Sequence, residues 1–225
     1  MIMKILVAVC GLLIGYVLNN YILTVNEDEK GEIFKCNFDK NKTLIILLWN
    51  SFIPLLLFSL LYNERFCVDF FRDVTLNALC SAVFFIDFRL HIIPDRLNLI
   101  AFVFGCIYLF IDRQSARDCI IGGVGALVFF MLIIIFSKLL LKKDGMGLGD
   151  AKFMCVVGLM SGTVYTVCIV FLSFIFGSIG ATIALICKKK GMGQEIAFGP
   201  YIVMATMVMM FFGADLLNWY LNFLI

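Results

Sequence analysis

From residue 119 to residue 141 the chain reads CIIGGVGALVFFMLIIIFSKLLL, with Lys138 as its one charge. A helix of about 20 predominantly apolar residues is long enough to cross the hydrocarbon of a bilayer, so this stretch constrains the fold more than any other. Comparable stretches recur, and eight spans can be drawn: 5–25, 43–62, 68–86, 97–111, 119–141, two within 151–187 divided near Ser161 and Gly162, and 197–221. With 63% hydrophobic and 15% charged residues in a chain of 225, no soluble core could take up that much apolar surface. The fold class expected is therefore all-α, a polytopic membrane protein with about eight transmembrane helices forming one integral-membrane domain over residues 1–225. The first span follows Lys4 with no small-residue cleavage signature, which reads as a retained anchor. The phenylalanines, 24 of them, are expected to face lipid or to pack between helices.

Orientation follows from Lys and Arg, which accumulate in cytoplasmic loops. With eight spans, the odd-numbered loops and the span ends beside them share one side and carry thirteen: Lys30, Lys35, Lys40, Lys42, Arg89, Arg96, Lys138, Lys142, Lys143, Lys152, Lys188, Lys189 and Lys190. The opposite side carries Lys4, Arg65, Arg113 and Arg117. The odd loops are thus expected in the cytoplasm and both termini outside. The net charge of +2 gives no argument for a nucleic-acid partner.

Two acid-bearing stretches fall on the cytoplasmic side of this topology. One is DGMGLGDAKF (144–153), whose glycines Gly145, Gly147 and Gly149 free the backbone for positive φ or for close approach and deliver Asp150 to the membrane boundary. The other is IDFRLHIIPD (86–95), which holds Asp87 and Asp95; Pro94 disfavours helix at Ile93 and suits the start of a new one, which Asp95 is expected to cap. An ionisable residue beside a transmembrane segment suggests a functional site, although Asp is also a favoured N-cap and both readings of Asp150 stay open on position alone. Two aspartates sharing a site cannot both ionise easily, so one keeps a proton. The charged member can activate a water as general base, while the protonated member polarises a carbonyl and helps protonate the leaving amine. With His91 the single histidine and no CxxC pair among nine cysteines, Ser-His and Cys-His triads and multi-histidine zinc sites have little to draw on. His91 itself reads as an interfacial residue, and the cysteines as small buried hydrophobes.

These residues carry a resemblance. The segment GMGLGDAKF (145–153), preceded by Asp144, resembles the GxGD motif of bacterial type IV prepilin leader peptidases, and IDFRLHIIPD is similar to that family's second aspartate motif. AFGPY (197–201) resembles the PFGP motif that opens its last helix, and GYVLNNYI (15–22) a weaker motif of its first span. The resemblance implies a GxGD-type membrane aspartic endopeptidase of the bacterial inner membrane. It would cut the basic leader of prepilins or pseudopilins at the cytoplasmic face. Asp87 and Asp150 match the catalytic aspartates. Asp144, Gly147, Gly149, Lys152, Asp95, Pro94, Phe198, Gly199 and Pro200 match motif positions around them. Cleavage would need no cofactor and no metal.

Two departures stand out. Many family members carry a cytoplasmic domain with paired CxxC motifs between the first two spans, thought to bind zinc and associated with N-methylation from S-adenosylmethionine; here residues 26–42 form a short polar loop with Cys36 alone. Zinc is not expected, and methyl transfer is left open. Ala197 stands where the family usually has Pro, which removes a fixed φ but no reactive group. Lys152 reads either as a modifier of Asp150 or as a basic interfacial anchor. Glu27, Asp28, Glu29 and Glu32 read as a solvated loop or as an attractor for a basic leader. Two rival functions share these features: a presenilin-like GxGD peptidase, which would have deeper aspartates and a PAL-like motif, and an ion-coupled transporter, which would show inverted repeats.

Overall fold

The computed structural model describes residues 68–113, 115–141, 146–186 and 197–224, together with Leu13, residues 15–17 and Trp49. The expected first two spans, the loop 26–42 with Cys36, Asp144 and Gly145 lie essentially outside the described residues. Six helices carry the rest: α1 (Val68–Leu90), α2 (Asp95–Ile111), α3 (Ala116–Leu141), α4 (Leu148–Ser161), α5 (Thr163–Ile186) and α6 (Gly199–Leu224). No strand occurs among the described residues. The chain divides into two compact units, Met1–Ile86 and Asp87–Ile225. The second holds the last turn of α1 and all of α2 to α6.

Among the described residues, three helices, α3, α5 and α6, are long and apolar enough to cross a membrane. Their outward faces expose Phe136, Leu139, Phe171, Ile186 and Phe212, an apolar surface that suits lipid and not water. Two of the eight expected spans lie outside the described residues, and this count does not confirm eight. With 14 residues, α4 is about 21 Å long at 1.5 Å per residue, short of the roughly 30 Å of hydrocarbon. The 17 residues of α2 reach about 26 Å, and α1 is interrupted by charge at Arg72, Asp73 and Asp87.

The expected division of 151–187 is present as two helices. Gly162 adopts φ of 80° between α4 and α5, a left-handed conformation that glycine takes without steric cost. Asp118, in the first turn of α3, caps the new helix: its carboxylate accepts from Thr163 N–H at 3.1 Å and its carbonyl from the Thr163 hydroxyl at 2.8 Å. Pro94 likewise stands just ahead of α2, where its carbonyl accepts from Leu97 and Asn98 N–H.

The core of the second unit is the crossing of α3 and α4, and small residues make it close. A Cβ on Gly158 would lie 2.8 Å from the backbone carbon of Gly122, and one on Gly123 would lie 2.7 Å from Leu159 Cγ. In a bilayer, where apolar surface alone gives little drive to associate, such backbone approach supplies the packing energy. Phe130, Phe153, Met154, Ile169 and Ile202 fill the interior around it. This crossing fixes α4, and α4 carries Asp150 in its first turn. Packing of α2 against α4 and of α5 against α6 then surrounds that turn.

Candidate active site

Asp87 and Asp150 are both nearly inaccessible, 3% and 7% exposed, and each is held from a different helix start. Asp87 lies in the last turn of α1, one residue past the span 68–86 read from sequence. Its Oδ2 accepts from the backbone N–H of Gly199, the first residue of α6, at 2.9 Å. The following Pro200 has no N–H to leave unsatisfied, which suits a first helical turn. A Cβ on Gly199 would sit 2.6 Å from Asp87 Oδ2, so only glycine lets this N–H reach the carboxylate. The free N–H groups at a helix start also favour negative charge there.

Asp150 lies ahead of the apolar run of α4, with its N–H bonded to the carbonyl of Gly147. Gly147 itself is the N-cap residue, at φ −72° and ψ 142°. The alternative of Asp150 as the N-cap therefore does not hold. Nor is positive φ the use of the glycines here: Gly147 is extended and Gly149 is helical. What Gly149 provides is proximity, since a Cβ there would come within 3.1 Å of Ile93 Cβ and 3.4 Å of Ile93 O.

The Asp150 carboxyl is pushed up to about 7, chiefly by burial and then by the negative charge of Asp87, against the lowering effect of the Gly147 N–H. Asp87 is also raised above the ordinary carboxylate value by burial, against the lowering effects of the Gly199 N–H and of His91. The two acids thus feel each other, and Asp87 is the one that ionises first. That is the asymmetry a dyad needs: one charged carboxylate beside one protonated acid.

Around the pair, the second residues of the two motifs meet. Lys152 Nζ stands 2.5 Å from Asp95 Oδ1, both side chains being solvent-accessible. Lys152 is thereby engaged with Asp95, and Asp95 makes no capping hydrogen bond at the start of α2; its expected capping role is corrected to an ion pair. Phe198 packs in an aromatic cluster with Phe174, Phe130 and Tyr201, at centroid distances of 5.3, 6.2 and 6.3 Å, which anchors the strand-like entry to α6 beside Gly199.

The model of the type IV leader peptidase family matches residues 74–182, a stretch that includes Asp87, Asp95 and Asp150. The chain is 29% identical over 154 residues to the prepilin leader peptidase/N-methyltransferase of Xanthomonas campestris pv. campestris, covering 68% of this chain and 54% of that protein. It is 32% identical over 152 residues to the protein of the same name from Aeromonas hydrophila, covering 66% and 52%. To that of Legionella pneumophila it is 30% identical over 157 residues, covering 68% and 53%. The chain is thus similar to type IV leader peptidases across the stretch that holds both aspartates. It spans about half the length of the curated relatives it matches. No solved structure matches it.

In this chain the AFGP motif touches the motif IDFRLHIIPD: it supplies, through Gly199, the hydrogen bond to Asp87. Three further features escaped sequence reasoning. His91 closes α1 at φ of 57°, the only non-glycine residue with positive φ among those described, and nothing in its neighbours signals this. Asp118 acts as a cap across 45 residues. Asn98 is buried against the GxGD segment; an Asn between Leu97 and Leu99 in an apolar run was a visible anomaly that could have found it.

Proposed function

We propose that this protein is a membrane aspartic endopeptidase that removes the basic leader of type IV prepilins or pseudopilins at the cytoplasmic face of the bacterial inner membrane. The observation that supports the reading is that Asp87 and Asp150, two buried carboxyls from separate motifs, are electrostatically coupled. Asp87, ionised and held by Gly199 N–H, takes a proton from a water whose oxygen attacks the scissile carbonyl carbon. Asp150 gives its proton to the carbonyl oxygen, and a neutral tetrahedral diol forms. On collapse, the diol returns a proton to Asp150 and the C–N bond breaks. Asp87 passes the proton taken from water to the leaving nitrogen, and both acids end as they began.

Nothing in this cycle needs a metal, a nucleophilic side chain or an organic cofactor. Methyl transfer from S-adenosylmethionine is not included in the proposal, because the loop 26–42 offers only Cys36 of the cysteines associated with that activity. The cytoplasmic position is supported by the distribution of Lys and Arg, thirteen against four, with both acids next to odd-numbered loops.

The test is reconstitution. The purified protein in lipid vesicles, given a prepilin with a basic leader and a glycine before its apolar helix, should release the leader with one cut after that glycine, read by mass spectrometry. Cuts inside the apolar helix would instead point to a peptidase of signal-peptide remnants, and no cut at all would remove the reading.

A further inference from the structure

We propose that Asn98 is a positioning residue for Asp150, acting through the carbonyl of Gly149; the inference rests on the peptidase reading above. Asn98 stands in the first turn of α2 and is 5% exposed. Its Nδ2 donates to Gly149 O at 3.4 Å, across 51 residues of sequence. Its Oδ1 is buried with no partner among the described residues. The orientation of the amide follows from chemistry, because Gly149 presents an acceptor and only the NH2 side can meet it.

A buried amide acceptor left empty costs about 1–3 kcal/mol, and a leucine would fill the same space without that cost. Packing therefore does not account for an asparagine here. Position does. Gly149 immediately precedes Asp150, and the segment that carries Asn98 bounds it twice: Ile93 fills the space where a Cβ of Gly149 would stand, and the Asn98 amide donates to its carbonyl. With Gly149 fixed, the backbone that aims the Asp150 carboxyl has little freedom left. A bond of 3.4 Å is long for N–H to O, as hydrogen bonds around a reacting centre commonly are before substrate is bound.

Three variants test this in vesicles against the same prepilin: Asn98→Ala, Asn98→Asp, which keeps the volume and loses the donor, and Asn98→Thr, which keeps a donor. Asn98→Ala and Asn98→Asp should lower kcat on the order of tenfold to 10²-fold, as misplacement of a catalytic group does, with KM near that of the parent. Asn98→Thr should restore most of the loss. A second readout needs no turnover: a carbodiimide, which adds to protonated carboxyls, should modify Asp150 several-fold faster in Asn98→Ala, as judged by peptide mass. Unchanged kcat and labelling would overturn the proposal. So would a rise in KM alone, or failure of both Asn98→Ala and Asn98→Asp to accumulate in the membrane while Asn98→Thr does. If the parent protein cleaves no prepilin, the functional reading falls, and the labelling rate alone decides the role of Asn98.

Discussion

Gly199→Ala perturbs the site through one methyl group. The added Cβ would lie 2.6 Å from Asp87 Oδ2 and 3.0 Å from its Cγ. Ordinary contact with a Cβ begins near 3.4 Å, so the oxygen must retreat by about 0.8 Å or α6 must shift by as much. Either response stretches the 2.9 Å bond from Gly199 N–H beyond useful length. A hydrogen bond to a charged group contributes about 1.5–3 kcal/mol, and a misplacement near 1 Å costs on the order of 10²-fold in rate. Both routes lead to a fall in kcat of tens to a few hundredfold. KM should change little, because the loss lies in the reacting groups and not in the binding of the substrate's remote parts. Helix propensity works the other way, Ala being favoured over Gly by about 1 kcal/mol in a helix, so thermal stability should not collapse with activity. Initial rates on a prepilin in vesicles over a range of substrate concentration measure the effect. Gly125→Ala serves as the control, since nothing lies within 4 Å of a Cβ there. A Gly199→Ala protein with kcat within about threefold of the parent, a change too small for the loss of a charged hydrogen bond, would refute the claim that the start of α6 holds Asp87.

Cleavage should follow a bell-shaped pH profile belonging to the pair, falling on the alkaline side through about 7 as Asp150 loses its proton and on the acid side as Asp87 gains one. Because folding raises the Asp150 value from the ordinary 3.8, the folded state holds a proton that the unfolded chain has released, so thermal stability should decline as pH rises between those two values; Asp150→Asn should flatten that decline in a melting series. Lys152→Ala and Asp95→Ala each break a solvent-accessible ion pair worth about 0–1 kcal/mol, and should leave the melting temperature and kcat close to the parent, with any difference vanishing at high salt. In a cysteine-free background, a single cysteine replacing Gly191 in the basic loop should react with an impermeant thiol reagent only after the cytoplasm is opened; reaction from outside intact cells would invert the topology.

Much of the site was legible because its chemistry sits in short, local signals. Pro94 and Gly162 mark helix boundaries by their own backbone preferences, and the structure breaks there. Asp87 and Asp150 were conspicuous because a carboxylate beside an apolar run is costly. What the sequence could not convey is which partner each group finds at long range. The bond from Gly199 to Asp87 links residues 112 apart, and no periodicity or composition encodes it. The AFGP segment could be matched as a motif, yet its purpose emerges only when α6 begins at the carboxylate. Asp95 illustrates the opposite error: its place after Pro94 suggested a cap, whereas the nearby cation of Lys152, 57 residues on, takes its side chain. The span count is less legible for a physical reason as well: apolar composition measures burial of any kind, and α4, with Phe153, Met154 and Val157 buried against its neighbours, is apolar without being long enough to cross.

The central claim, that Asp87 and Asp150 act as one unit, is tested most directly by kcat for Asp87→Asn, Asp150→Asn and the double variant on one prepilin, with membrane insertion verified for each. Members of a catalytic unit are grossly non-additive, so each single change should abolish cleavage to the background and the double variant should be no worse. Substantial activity in either single variant, or losses that multiply in the double, would contradict the account.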